Sequence, residues 1–573
     1  MSKISSGSVK ATVTASSVQK AAPPWLHRYG PWLAIIGFIV TVIALYLPSL
    51  GFEFILDDHR FTADPRIQNS GHVWDYFTTF VWAQFTGGAP SFYRPVFLLW
   101  MRLNYLISGL SAWGWHLLSI SKHALVAVFV GLLAWKLLQD SWNAALTALL
   151  FAFHPAQAES VSWVTVPDPL MAAAVLCSLY FYRRNLDRIT SPTVTVRKKK
   201  SRNSAGAHDS PSPVWMLAST AAYFTALLAK ETAIILPVII FALGFREASP
   251  IAPENSPTAR FKMALRHTAP FLAATVLYLL LRLNALSGQI ATTTQHLPWK
   301  TVLLSWPATL WFYVKVMLWP VRSYAFADPI FIDHFSARDV LLPLLLVSCF
   351  AAIVCGALVW IRRASAQLPA KEQAAVEFAL ISGTLLLLLP LLPALNLNAL
   401  NPGDFLHGRY TYLPLAGLAL IIATFCHCAG RAKLIAAAAV GALVVAYAPL
   451  TLSQQKQWKD DLSVFTAAHE LAPHNAPVAR NLADARVRDA LLLEEDGRCA
   501  EAIPVFQQVS REYPDDWYPL AGLGYCYAQS NDFVRAEDFL HRAADLSHDS
   551  GIIQQWQELR TQMGLPPAER SPR

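Results

Sequence analysis

Charged residues are scarce in this chain. Asp, Glu, Lys and Arg make up only 15% of its 573 residues, whereas 54% are hydrophobic and the mean hydropathy is +0.35. Soluble domains carry about 25% charged residues, so this composition excludes an ordinary soluble protein. Uncharged apolar runs of about 17–25 residues recur, which is the length that crosses a bilayer as a helix. The sequence therefore predicts an all-α, polytopic membrane protein.

Metal-binding patterns are also lacking. None of the seven cysteines has the spacing of zinc ligands, and the Cys426-His-Cys428 cluster lies at the end of a predicted span. We predict no metal centre and no cofactor there. The net charge of +8 does not indicate nucleic-acid binding, because much of it lies in residues 183–202, with eight Lys or Arg and only Asp187 as an acid. Between apolar segments, such a stretch is typical of a cytoplasmic loop.

Basic loops determine the predicted topology, since they remain on the cytoplasmic side. The N-terminal tail (1–30) is lightly basic. Loops 183–212 and 246–266 and the region around Arg362 and Arg363 are the other basic segments. All of them fall inside if two ambiguous stretches, 94–110 and 301–320, lie along the outer surface or re-enter from it. This arrangement predicts about eleven spans: 31–50, 113–138, 142–153, 168–182, 214–229, 232–245, 268–283, 340–360, 374–392, 410–426 and 434–451.

The predicted topology brings four polar loops to the outer face. These loops contain the Asp57-Asp58 pair, residues 154–159, the Lys230-Glu231 pair and residues 396–410. Ionisable groups at a membrane edge are costly to desolvate and are therefore candidates for function. The domain prediction is a membrane domain over 31–452, with a first outer loop at 51–112, and a soluble region over 453–573 on the same outer side.

A repeat marks the soluble region. Ala502 and Phe506 recur 34 residues later as Ala536 and Leu540, with the small Gly524 between them. This spacing is typical of tetratricopeptide (TPR) units, whose paired helices approach closely at small residues. A generic helical hairpin is the alternative. Further positions that fit the repeat are Phe465, Ala468, Pro473, Pro514, Leu523 and Tyr527.

Short polar motifs carry a family resemblance over nearly the whole chain. Their order resembles the transmembrane-and-TPR O-mannosyltransferase family and its bacterial relatives, within the GT-C class of membrane glycosyltransferases. One departure is Val166-Pro-Asp168, where the family carries a basic residue before the Asp. The matching segments are Leu56-Asp-Asp-His-Arg60, Ser91-Phe-Tyr-Arg-Pro95, Arg102-Leu-Asn-Tyr105, Trp115-His116 with His123, His154-Pro155, Glu159-Ser-Val-Ser-Trp163, Ala229-Lys-Glu231 and Arg409-Tyr-Thr-Tyr-Leu-Pro414.

The resemblance implies transfer of a sugar from a polyprenyl-phosphate donor to an acceptor hydroxyl, with inversion, on the outer face of a bacterial inner membrane. The acceptor could be protein Ser/Thr, a polysaccharide or a lipid, with the TPR units as a docking surface or a structural cap. Asp57 would be the general base and Asp58 its partner; a divalent metal at this pair is the competing role. Residues that would bind the donor phosphate or sugar are Arg94, Arg102, His154, Glu159, Lys230, Glu231 and Arg409.

Structural roles remain open for several of these side chains. Arg102 could snorkel from a surface helix, and Lys230 with Glu231 could form an internal ion pair. His154 precedes a proline and could cap a helix, and Arg409 could anchor at the lipid headgroups. Two other functions also remain open, a TPR membrane scaffold and a transporter, although no convincing internal hydropathy repeat supports a transporter.

Overall fold

The computed structural model describes residues 24–85, 92–190, 213–251, 256–288, 296–321, 327–328, 330–399, 406–547 and 549–566. Most of the predicted cytoplasmic tail, residues 191–212 of the basic loop and Ser91 lie outside these ranges. The described residues form helices joined by short turns, and their extended pairing is confined to the isolated bridge between Ala327 and Leu406. The predicted all-α class is confirmed.

In the described residues before position 456, the structure has seventeen α-helices. They are α1 (Pro24–Tyr46), α2 (Asp58–Ala63), α3 (Pro65–Gln68), α4 (Asp75–Thr78), α5 (Pro95–Ser108), α6 (Ala112–Leu138), α7 (Ser141–Ala152), α8 (Ala158–Ser162), α9 (Asp168–Thr190), α10 (Val214–Ala229), α11 (Leu236–Ile251), α12 (Pro257–Ala285), α13 (Trp299–Leu318), α14 (Leu342–Ser365), α15 (Ala370–Leu388), α16 (Tyr412–Cys428) and α17 (Lys433–Gln455).

Long apolar helices make the chain a multi-pass membrane protein. By length and composition, eight helical segments of the described residues could cross a membrane. One of them is Trp299–Leu318, a stretch that we predicted to lie outside the bilayer or to re-enter it. Two predicted spans form shorter apolar helices, Ser141–Ala152 and Val214–Ala229. The predicted total of about eleven crossings therefore remains a prediction.

The membrane helices pack closely where small residues face each other. A Cβ atom on Gly417 of α16 would lie 2.5 Å from the carbonyl oxygen of Gly383 in α15 and 2.6 Å from the backbone nitrogen of Leu387. Only glycine permits this approach of two backbones, as is common where helices associate in membranes. The contact holds α16 against α15, and the loop that carries Arg409 immediately precedes α16.

The C-terminal region is an array of antiparallel helices. Phe506 packs where a Cβ on Gly522 would lie 2.4 Å from its ring, and Leu540 packs in the same way against Gly524. Phe506 and Leu540 are buried, as the repeat predicts. A disulfide between Cys499 and Cys526, which the sequence analysis did not predict, joins two of the helices. The array comprises α18 (Asp461–Leu471), α19 (Ala476–Glu495), α20 (Cys499–Glu512), α21 (Trp517–Gln529), α22 (Phe533–Ser547) and α23 (Ser550–Gln562).

Candidate functional site: an amphipathic cavity at the acidic loop

Asp58 is enclosed by the protein. Its Oδ1 accepts hydrogen bonds from the backbone and hydroxyl of Thr165 (3.2 and 2.7 Å), and its Oδ2 accepts one from the Ile55 backbone (3.1 Å). Burial raises the pKa of this carboxyl to about 7, although the hydrogen bonds from Thr165 and Ile55 oppose the rise. Such a pKa would suit a general base, but geometry comes first. Asp58 fastens the acidic loop to the loop that follows α8.

Asp57 lies beside a cavity of about 280 Å³. The cavity is amphipathic. Its lining combines the charged side chains of Asp57, Arg94, Lys230, Glu231 and Arg409 with aromatic and aliphatic side chains such as Phe61. Asp57 is half-buried, whereas Asp58 is absent from the lining and completely buried. Of the predicted acidic pair, Asp57 alone lines the cavity.

Arg94 and Glu231 form a two-pronged ion pair on the cavity wall. Arg94 Nε donates to Glu231 Oε2 at 2.9 Å and Nη2 donates to Oε1 at 2.5 Å, across 137 positions of sequence. Burial alone would raise the pKa of Glu231, but the Arg94 guanidinium outweighs it and brings the pKa to about 2. Glu231 is therefore ionised at neutral pH, and it orients the guanidinium.

Lys230 pairs with an acid other than its neighbour in sequence. Its Nζ donates to Asp168 Oδ1 at 2.6 Å, and both side chains are buried. The ammonium also lies 5.0 Å from the ring centre of Tyr410. The sequence left open an ion pair between Lys230 and Glu231. The structure instead has two separate pairs, Lys230 with Asp168 and Glu231 with Arg94, because successive side chains at this helix end point to different partners.

Arg409 is held over an aromatic ring near a buried acid. Its guanidinium lies 4.4 Å from the ring centre of Trp163, a cation–π distance. Glu159 Oε2 accepts the Arg409 backbone N–H at 2.9 Å, while Arg409 Nη1 is 3.6 Å from Glu159 Oε1. His407 Nδ1 is 3.1 Å from the same oxygen. Glu159 positions the loop, and its contact with the Arg409 guanidinium is looser than the other two cation pairs.

Three predicted donor-binding residues lie outside the cavity lining: Arg102, His154 and the buried Glu159. Arg102 Nη1 donates to the Ile67 carbonyl at 2.6 Å and so supports the first outer loop. His154 Nδ1 accepts from the Ala156 backbone, and its Nε2 lies 2.9 Å from the Met317 carbonyl. Burial lowers the pKa of His154 to about 4, so the ring is neutral at pH 7. This is the helix-cap role left open by the sequence.

Sequence reasoning missed two charged residues of this region. Asp168 was noted for its motif, yet it is the partner of Lys230. Lys122 lies inside a predicted span, where a charged residue is itself a signal of function. Its Nζ donates to the Val166 carbonyl at 3.2 Å and lies 5.6 Å from the ring centre of Trp100. It thereby braces the loop that holds Asp58.

Metal ligands do not converge at the acidic pair. Both Asp58 oxygens already accept hydrogen bonds from protein donors. Within the described ranges, no group of three or more His, Cys, Asp or Glu is arranged to hold a metal ion. The alternative role of Asp57 and Asp58 in binding a divalent metal remains a prediction.

Comparison with known proteins relates the chain to one family. Residues 493–562 match the tetratricopeptide repeat model. The chain is 24% identical to protein O-mannosyl-transferase TMTC1 of Homo sapiens over 84% of its length and 55% of that protein. It is 31% identical to protein O-mannosyl-transferase Tmtc2 of Drosophila melanogaster over 27% of its length and 17% of that protein. The chain thus spans about half the length of the human relative. The predicted family resemblance and repeat are confirmed.

Two solved structures match much of the chain at low similarity. The archaeal oligosaccharyltransferase AglB from Archaeoglobus fulgidus, in complex with an inhibitory peptide and a dolichol-phosphate, has a TM-score of 0.43 at 12% identity, covering 80% of this chain and 60% of that one. ArnT from Cupriavidus metallidurans in the apo state has a TM-score of 0.40 at 15% identity, covering 90% of this chain and 78% of that one.

Proposed function

We propose that this chain, a relative of the TMTC protein O-mannosyltransferases, is a membrane glycosyltransferase that moves a sugar from a polyprenyl-phosphate to an acceptor hydroxyl. The observation that carries the proposal is the wall of a single cavity, where Asp57 lies with Arg94, Lys230 and Arg409. A base and an array of cations are the two elements that transfer from a lipid phosphate requires.

The reaction assigns one role to the charged residues of the cavity lining and another to its apolar residues. Asp57 takes the proton of the acceptor hydroxyl as the acceptor oxygen attacks the anomeric carbon, and the bond from that carbon to the phosphate oxygen breaks with inversion. The leaving phosphate gains negative charge, which the guanidinium and ammonium groups stabilise. Since Arg409 is only loosely paired with Glu159, its charge is the one most available to the phosphate. The aromatic and aliphatic side chains of the lining suit the lipid chain and the less polar faces of the sugar.

A direct assay tests this function. The protein in vesicles, supplied with a synthetic polyprenyl-phosphate mannose and a Ser/Thr-containing peptide, is expected to yield a peptide heavier by one hexose in mass spectrometry. Mannose is the first choice because it is named for the relatives. Other polyprenyl-phosphate sugars and glycan or lipid acceptors form the second series. Absence of transfer across both series, with the protein folded and both substrates present, would contradict the proposal and favour a scaffold.

The proposed location is a bacterial inner membrane, with the cavity and the helical array on the periplasmic side. The Cys499–Cys526 disulfide supports this orientation, since disulfides persist in oxidising compartments. The array extends from the same side of the protein as the acidic loop, and Glu53 donates its backbone N–H to the Lys459 carbonyl at 2.9 Å. An acceptor held by the array would therefore lie near the cavity.

Cysteine labelling tests the orientation. In a chain whose five unpaired cysteines are replaced, cysteines at the exposed positions Ser70 and Ser550 are expected to react with an impermeant maleimide from the outside. A cysteine at Ala366, beside the basic end of α14, is expected to react only after the membrane is opened. Labelling of Ala366→Cys in intact cells would reverse the orientation. If only Ser550→Cys failed to react, the array would not lie on the outer face.

A further inference from the structure

We propose that Asp461, the first residue of α18, is a positioning residue that holds the Asp57 loop in its working conformation. This inference rests on the proposed function, because it assumes that the orientation of Asp57 matters for proton transfer. It makes the C-terminal array part of the catalytic assembly, in addition to any role in holding acceptors. Three features of the structure support this role: the backbone before Asp57, the partners of Asp461 and the apolar contacts around them.

The backbone before Asp57 is held in an unfavourable conformation. Leu56 has φ of 52°, in the left-handed region that residues with a Cβ rarely adopt. Such a residue persists only where its surroundings hold it, and these cases cluster at functional sites. Because Leu56 immediately precedes Asp57, its backbone dihedrals determine the direction in which the Asp57 side chain leaves the chain. A relaxed Leu56 would turn Asp57 away from its present position beside the cavity.

Asp461 supplies the contact that holds this conformation. Its Oδ1 accepts the Leu56 backbone N–H at 2.9 Å, across 405 positions of sequence. Its Oδ2 lies 2.9 Å from His59 Nε2 and 2.8 Å from Arg488 Nη2 of α19. One carboxylate therefore joins the residue before the acidic pair, the residue after it and the second helix of the array. Asp461 itself is nearly buried, whereas the His59 and Arg488 side chains are about half exposed, so the contact to the Leu56 N–H is the one least dependent on charge screening by water.

Apolar packing reinforces the same contact. The Leu56 side chain packs against a buried cluster formed by Phe465 of α18 with Leu482 and Ala485 of α19. Ile55 is completely buried in a cluster that includes Val464 of α18. The loop thus contacts both of the first two helices of the array, and a shift of one helix against the other would move Leu56.

A second connection runs from the array to Arg409, one of the cations that line the cavity. Trp458, just before α18, stacks on Trp163 with ring centres 6.1 Å apart and planes at 20°. The Trp163 ring also lies under the Arg409 guanidinium, 4.4 Å from its ring centre. The base and the least tightly paired cation are therefore both supported from the start of the array.

Variants of Asp461 test the inference in the full-length protein. Asp461→Ala removes all three contacts, whereas Asp461→Asn retains an oxygen that can accept the Leu56 N–H but loses the charge. Asp460→Ala is the matched control, because Asp460 caps the same helix by accepting the Ser463 N–H at 2.7 Å and lies next in sequence. Two quantities are measured: hydrogen exchange of a peptide covering residues 53–59, and steady-state transfer from a polyprenyl-phosphate sugar to a small soluble acceptor.

The expected result combines both measurements. Asp461→Ala should speed exchange at residues 53–59 and lower kcat by about 10²-fold, the typical cost of a small misplacement of a catalytic group, with KM for the lipid donor nearly unchanged. Asp461→Asn should recover part of the kcat, and Asp460→Ala should stay close to wild type in both measurements. If Asp461 acted only in folding, Asp461→Ala would lower the protein level, and the protein that remained would keep its kcat as well as its KM.

Three outcomes would count against the inference or its premise. Unchanged exchange in Asp461→Ala would overturn the contact itself. Faster exchange with unchanged kcat would overturn its importance and leave the proposed function standing. Absence of transfer by the wild-type protein would overturn the proposed function and the catalytic part of the inference, while the exchange result would still decide whether Asp461 holds the loop.

Discussion

Replacing Asp57 by asparagine is expected to lower the transfer rate by about 10²–10⁴-fold, the usual contribution of a general base. The side chain keeps its size, but an amide cannot take a proton from the acceptor hydroxyl. Because Asp57 is half-buried at the cavity edge, protein level, thermal stability and binding of the lipid donor should remain close to wild type. Single-turnover transfer from a polyprenyl-phosphate sugar, with donor binding measured separately, checks this expectation.

Asp58→Asn is the matched comparison, one position along the chain. Its carboxyl oxygens face three donors from Ile55 and Thr165, so an amide NH₂ placed there would oppose a donor and leave it unsatisfied. Such a buried mismatch costs about 1–3 kcal/mol. Asp58→Asn should therefore lower the melting temperature more than Asp57→Asn does. Transfer that is unchanged in Asp57→Asn would remove the base assignment, whatever the effect of the Asp58 variant.

Removing the Arg409 guanidinium should weaken use of the lipid donor. Hydrogen bonds to a charged group contribute about 1.5–3 kcal/mol, so Arg409→Ala should lower kcat/KM for the donor by roughly 10–150-fold. Arg409→Lys should recover the charge but only part of the activity, because an ammonium lacks the planar shape that lies over Trp163. Initial rates over a range of donor concentrations give both constants.

Arg498→Ala serves as the control for loss of a guanidinium. Arg498 is exposed in the array, where it pairs with Glu501 at 2.8 Å, and its removal should leave the kinetic constants near wild type. If Arg409→Ala behaves like this control, the leaving phosphate must be stabilised elsewhere, and Arg94 and Lys230 become the remaining cations of the cavity. A donor with a better leaving group should partly rescue Arg409→Ala if the guanidinium acts at departure of the phosphate.

The acidic pair illustrates how far sequence reasoning reaches. The position of Asp57 and Asp58 after the first apolar run indicated a site, and the family resemblance suggested a base. Nothing in two adjacent aspartates distinguishes the one that lines a cavity from the one enclosed by Thr165. That distinction arises because Ile55 and the distant Thr165 both donate hydrogen bonds to Asp58, and it requires the three-dimensional path of the chain.

The cation candidates separate in the same way. Arg94, Lys230 and Arg409 line the cavity, whereas Arg102 and His154 support loops through backbone carbonyls. All five have the residue type and the outer-side position that the sequence analysis asked for. Their roles differ because a partner distant in sequence, 35 positions away for Arg102 and 163 for His154, decides whether a polar side chain faces a cavity or closes a hydrogen bond.

Composition and local periodicity by themselves determined that this protein is helical, enters a membrane and carries a repeat array after its apolar spans, because apolar runs and repeat spacings are patterns of residues close in sequence. The tertiary structure decided which acid faces the cavity, which acid orients each cation, and that Asp461 of the array holds Leu56. Those choices depend on contacts between distant segments, whose geometry is set only when the helices pack and exclude water from the groups between them.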